Sequence, residues 1–225
     1  MSPETVQGKS RKNGLARCSD SHPARNAPRA APPPAQASAQ ALQDAFVRVL
    51  RERGWEKTTI REVAAVAGVG VGTFYDYFGN MRALAAVCIH ARVLALAAAG
   101  HAAIDAARGQ PLAQVVDALL DSQVDGTLNA AADWAALFLV ERQVSGVQAF
   151  RKHYEAHVAM WQAALQAAVD VPADAPGAAR MLHAMCYGWV SQSLLALGPQ
   201  VDAQGLRGRL RQAVQAYVGT LEREL

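Results

Sequence analysis

The chain has 225 residues, 52% of them hydrophobic and 18% charged. That is enough for one globular unit or two small ones, and too apolar for disorder throughout. Its 48 alanines, with only four prolines after Pro34, point to an all-α body. Cys18, Cys88 and Cys186 are too few and too widely spaced for a disulfide framework or a CxxC metal site, which suits a reducing, cytoplasmic setting. The net charge of +3 divides into +4 over residues 1–35, +1 over 36–85 and −2 over 86–225. A polyanionic partner is therefore expected at the N-terminal end.

Residues 1–35 hold six of the ten prolines, including Pro32-Pro33-Pro34, and show no apolar period. They read as a disordered basic arm without the apolar run of a signal peptide. From Gln36 the pattern changes. Ala41, Leu42, Ala45, Phe46, Val49 and Leu50 recur at i, i+3, i+4 spacing and predict an amphipathic helix ending near Arg53-Gly54. Thr59-Ile60-Arg61-Glu62 is a capping box, in which the threonine hydroxyl and the glutamate each satisfy an orphaned backbone N–H. It opens a short second helix that ends at Ala67. A third starts near Val71 and ends at Phe78-Gly79. Asn80 caps a fourth, expected to end near Gly100.

Further helices are predicted at 111–128, 131–145, 147–170, 176–197 and 203–223, with Pro111 and Pro176 in first-turn positions. Residues 83–100 and 181–198 are apolar, but polar side chains such as His90, Arg92 and His183 interrupt both. They read as buried helices rather than membrane spans.

Residues 42–84 carry the most information: a helix, a capped short helix, a tight turn at Gly68, and a second short helix ending in aromatics. This is a helix-turn-helix. Ala64 and Ala65 allow a close helix crossing, Gly68 suits a left-handed turn, Val69 plugs the core, and Phe74 and Phe78 face inward. Thr73, Asp76 and Tyr77 share the opposite face, within reach of a major groove. Gly68-Val69-Gly70-Val71-Gly72 is not a phosphate loop, since it follows a helix and no Gly-Lys-Ser/Thr comes after it.

The ordered run from Trp55 through Ala64, then Ala67-Gly68-Val69-Gly70-Val71-Gly72-Thr73-Phe74-Tyr75-Asp76-Tyr77-Phe78-Gly79-Asn80, then Ala83-Leu84, resembles the TetR family of bacterial repressors. The likeness covers about a fifth of the chain. It implies an all-α homodimer with three regions: the arm (1–35), a helix-turn-helix DNA-binding domain (36–82), and a larger ligand-binding and dimerisation domain (83–225). By that resemblance Gly70, Val71, Gly72, Thr73, Tyr75, Asp76 and Tyr77 face DNA, and Thr59 offers its hydroxyl and N–H to a phosphate. For Tyr75, core packing is the competing expectation. The partners implied are a near-palindromic double-stranded operator, a second copy of the chain, and a small apolar or aromatic effector. No cofactor, metal, catalysis or membrane is expected.

The chain departs from the family where a lysine is common, at Val71 and Met81. Asp76 repels phosphate but can accept from a cytosine amino group. The basic arm (Lys9, Arg11, Lys12, Arg17, Arg25, Arg29) is a candidate to restore the missing attraction.

In the C-terminal part, Trp134, Phe138, Phe150, Tyr154, Met160, Trp161, Met181, Met185, Tyr187 and Trp189 stand out against alanine. Their first role is core. With polar neighbours His153, His157, His183 and Gln192, they also suit a pocket. The candidate lining is Trp134, Phe138, Tyr154, His157, Trp161, Met185, Trp189 and Gln192. The rival from another class is a metal-binding protein or small enzyme using His153 and His157, one helical turn apart, though Glu155 falls on the opposite side. Dimerisation is assigned to the last two helices through Met181, Met185, Leu194 and Leu195, and through Leu206, Leu210, Val214, Tyr217 and Leu221.

Overall fold

The computed structural model describes residues 34–221, and these form nine α-helices and no strand. The basic arm and Cys18 lie outside the described residues. Helix α1 (Pro34–Arg53) begins at the last proline of the Pro32–Pro34 run. A 3-10 turn (Trp55–Lys57), α2 (Ile60–Ala67) and α3 (Val71–Tyr77) complete the helix-turn-helix. The threonine half of the capping box forms: Thr59 Oγ1 accepts from the Glu62 N–H at 3.2 Å. The Glu62 carboxylate does not close the box. It lies 3.2 Å from Arg53 Nε, a cation that competes better than a backbone amide.

Gly68 ends α2 at φ 71°, ψ 27°, the left-handed cap that glycine adopts without strain. The turn that follows brings α3 across α2. Phe74 and Phe78 go inward and pack with Leu42, Phe46, Leu50 and Val63. Burying a side chain of this size contributes about 2–3 kcal/mol, so a seven-residue helix that is marginal alone is held by its core.

Helix α4 (Met81–Ala107) is capped by Asn80, whose side chain accepts from the Ala83 N–H. It does not end near Gly100. Gly100 is a buried contact point, where a Cβ would stand 2.6 Å from Met160 Sδ and 2.7 Å from Gln123 Nε2. Glycine here lets helices approach, and nothing in its position stops hydrogen bonding. By length and mean hydropathy of 1.8, α4 is apolar enough to cross a membrane. In the fold Leu84, Ala85, Cys88, Ile89 and Ile104 are buried, but only 28% of the apolar stretch is, and Val87 and Leu94 are exposed, so the expectation of a buried helix is met only in part.

The remaining helices are α5 (Leu112–Leu128), α6 (Ala131–Val144), α7 (Val147–Ala167), α8 (Ala175–Leu197) and α9 (Ala203–Leu221), with a 3-10 turn at Gly198–Gln200 before α9. Gly109 N–H donates to Ala167 O at 2.8 Å, and Asp170 Oδ1 accepts from Leu112 N–H at 2.6 Å. The end of α7 thus caps the start of α5. The two cores are not sealed from each other: Leu137 and Val140 of α6 and Ile89 of α4 belong to the core that holds α1–α3. Asp133, at the start of α6, lies 2.8 Å from Arg92 of α4 and 3.2 Å from Arg51 of α1.

The apolar stripes assigned to dimerisation need correction. Leu194, Leu206, Leu210, Val214 and Leu221 are buried within the chain itself. The reason is that α9 lies on α5, tied by Arg207 to Asp125, Arg211 to Asp121, and Gln215 Nε2 to Ala113 O. Its apolar stripe is used there. The apolar face of α8 left uncovered is Met181 and Trp189, 49% and 46% exposed, with half-buried Met185 between them.

Candidate functional site

Two features answer the sequence expectations, a polar-aromatic face on α3 and a cavity among α4 to α8. On α3, Val71, Gly72, Tyr75, Asp76 and Tyr77 are exposed and Thr73 is half-buried, while Gly70 precedes the helix in extended conformation. Tyr75 is 57% exposed. The core-packing expectation for it is therefore overturned: its ring stands edge-on to Phe74 and faces solvent. Seven residues make barely two turns, and Phe74 and Phe78 one turn apart fix which face is buried.

Thr59 is exposed at the start of α2. Its oxygen is occupied by the Glu62 N–H, which leaves the hydroxyl proton and the first backbone N–H groups of the helix free to meet an anion. Two cations beside it escaped the sequence reading. Lys57 and Arg61 are exposed and have no ion pair among the described residues. Lys57 ends the 3-10 turn before α2 and Arg61 lies in the first turn of α2, on either side of Thr59 in sequence.

The cavity encloses about 400 Å³. Of the eight candidate residues, Trp134, Phe138, Tyr154, His157, Trp161 and Gln192 stand in its lining. Met185 and Trp189 do not. On α8, His183, Cys186, Tyr187, Val190 and Ser191 face the cavity, so residues 185 and 189, one turn apart, fall on the other side. Their lining assignment is replaced by that outer face.

Sequence reasoning also missed Ile89, Val93 and Leu96 of α4 and Glu141 of α6. A signal existed: Trp134, Phe138 and Glu141, and likewise Phe150, Tyr154, His157 and Trp161, recur at helical spacing. A second groove of about 390 Å³ shares Glu141, Phe150 and Tyr187 with the cavity, and adds Arg142, Ser145 and Val147.

Burial shifts the cavity's titratable groups toward their neutral forms and leaves one hydroxyl unpaired. Burial and the neighbouring His157 press His183 down to about 4, and burial together with His157, His90 and Lys152 lowers His153. Burial raises the Glu141 carboxyl, against the pull of Arg142. Tyr154, His157 and Tyr187 all stack on or meet the His183 ring within 5.6 Å, centroid to centroid. Ser191, 1% exposed, has no hydrogen-bond partner for its hydroxyl.

His153 and His157 do share a face of α7, with His157 Nδ1 2.7 Å from the His153 carbonyl oxygen. Among the described residues, however, no three metal-ligating side chains converge. Burial pushes the Cys88 and Cys186 thiols up to about 12, which makes both poor nucleophiles.

Residues 42–88 match the model for bacterial regulatory proteins of the tetR family. No curated protein matches the chain. Among solved structures, a transcriptional regulator from Rhodococcus sp. Rha1 is similar at TM-score 0.66 and 20% identity, covering 82% of this chain and 98% of that one. A TetR transcription regulator from Haloarcula marismortui gives 0.69 and 21%, over 83% and 98%. The transcriptional regulator FadR from Bacillus subtilis, solved in complex with stearoyl-CoA, gives 0.63 and 15%, over 78% and 96%. The match to the tetR-family model is thus confined to residues 42–88, and the described residues share the all-α fold of these solved transcriptional regulators.

Proposed function

We propose that the protein is a sequence-specific DNA-binding transcriptional regulator, probing a major groove with Val71–Tyr77 and a flanking phosphate with Thr59, and releasing its operator when a small molecule occupies the cavity. The observation that carries the reading is the double use of α4. Its first turns are built into the core beneath α3, while Ile89, Val93 and Leu96 line the cavity. A ligand that spreads α4 from α6 would move the reading head, and it favours release to the extent that it binds the displaced state more tightly.

Two reading heads on a near-palindromic operator require a dimer, for which the exposed Met181–Trp189 face of α8 is the surface on offer. That the FadR of Bacillus subtilis was solved with stearoyl-CoA supports the capacity of this fold to hold a small molecule. Selection of bound sequences from a random duplex pool tests the reading. Enrichment of a palindrome, lost in Tyr77→Ala and Thr59→Ala, is expected. Binding that follows salt alone, with no enriched sequence, would refute it.

A further inference from the structure

Glu141 is the one carboxylate among the residues lining the cavity, and no lysine or arginine lines it. Its side chain is only 13% exposed, and its nearest ion-pair neighbour, His153 Nδ1, stands 3.9 Å away, beyond hydrogen-bonding distance. That nitrogen itself lacks a partner. The charge of Arg142, next in sequence, acts on Glu141 from outside the cavity lining, while its guanidinium bonds go elsewhere. One of its guanidinium nitrogens donates to Phe138 O at 3.0 Å, and the group also bonds the Tyr187 side chain.

The groups facing Glu141 from other helices, His153 of α7 and Tyr187 of α8, are thus neutral at pH 7: burial lowers the first and raises the second. A mostly buried carboxylate whose burial outweighs the pull of its one cationic neighbour, Arg142, is costly. It stands at the junction of the cavity and the outer groove, in a wall of Trp134, Phe138, Phe150, Tyr154, Trp161 and Tyr187 rings. The negative faces of such rings attract cations.

Building on the proposed effector cavity, we infer that the effector is an aromatic molecule bearing a basic nitrogen, which seats as a cation against Glu141 with its ring system among the aromatic walls. An incoming amine either meets the ionised carboxylate as an ammonium or takes the carboxyl proton itself, and the product is the same ion pair. Anionic effectors are disfavoured, because they would face Glu141 with no cation lining the cavity to answer them.

Three probes of one shape separate the alternatives: 1-naphthylmethylamine, 1-naphthylmethanol and 1-naphthoate, titrated by calorimetry into the full chain at pH 7. The amine is expected to bind at least about tenfold tighter than the alcohol, the scale of one charge-assisted hydrogen bond, and naphthoate most weakly. In Glu141→Gln the amine should fall to the alcohol's affinity while the alcohol is unchanged. An amine no tighter than the alcohol, or a preference that survives Glu141→Gln, overturns the charge assignment alone. No binding by any probe overturns the effector-cavity reading and this inference with it. The ranking in the unaltered protein decides even where the variant does not fold.

Discussion

Asp133 joins three helices, since its two oxygens meet Arg92 of α4 and Arg51 of α1 at 2.8 and 3.2 Å. It is also the neighbour of Trp134, which lines the cavity. Replacing it with asparagine keeps the shape and removes the charge. The side chains of Asp133, Arg92 and Arg51 are 18%, 32% and 50% exposed. The Arg92 pair therefore lies between a surface pair, worth about 0–1 kcal/mol, and a buried one, whose breakage costs about 3–5 kcal/mol. We assign it about 1–1.5 kcal/mol and the more exposed Arg51 pair about 0.5 kcal/mol.

Asp133→Asn should then lower the unfolding free energy by about 1.5–2 kcal/mol, a fall in Tm of about 3–8 °C for a chain of this size. Asp133 also lies in the first turn of α6, where its charge favours the helix by a few tenths of a kcal/mol. A double-mutant cycle with Arg92→Gln removes that contribution. Urea unfolding followed by circular dichroism should give a coupling energy of about 1 kcal/mol, with 0.5 M salt weakening the Arg51 part first. The variant should also hold its operator less tightly and respond less to ligand. A coupling energy below about 0.3 kcal/mol, or an unchanged ligand response, would refute the view that α6 is tied to the DNA-reading helices through this residue.

Thr59→Ala should lose about 1 kcal/mol of helix capping and weaken operator binding further, whereas Thr59→Ser, which keeps the hydroxyl, should restore both in unfolding and gel-shift assays. Lys57→Gln and Arg61→Gln should each flatten the log–log dependence of operator affinity on salt by about 0.9 for every phosphate left unneutralised; a slope equal to that of the unaltered protein would remove the residue from the interface. Gly100→Ala should destabilise by about 1–3 kcal/mol, since its methyl group meets Met160, Gln123 and Leu119 and overpacking outweighs the gain in helix propensity.

His183 has a folded pKa of about 4 against an ordinary 6.5, so the folded state resists taking its proton. Stability is fully present above about pH 6.5 and falls toward pH 4, by up to about 1.4 kcal/mol per pH unit for this group. His183→Phe should reduce that acid sensitivity in urea midpoints measured at pH 7 and pH 5.

Residues 59–80 announced their own structure because each signal there is local. The Thr59 cap, the glycine at the left-handed turn, and Phe74 and Phe78 at one-turn spacing act within a few residues of where they stand. The exposure of Tyr75 could not be read the same way. A seven-residue helix leaves its flanking positions undecided until α1 and α2 cover one side of it. Gly100 misled for a related reason, since it resembles a helix end in sequence and serves as a crossing point in space.

Sequence by itself therefore determined the helical class, the helix-turn-helix and the inward placing of Phe74 and Phe78, because periodicity and caps are short-range properties of the backbone. It also placed six residues that line one cavity. Only the tertiary structure decided that α4 serves both cores, that α9 spends its apolar stripe on its own chain, and that Glu141 is the one carboxylate lining the cavity. Those outcomes depend on which helix faces which, and packing among residues far apart in the chain sets that.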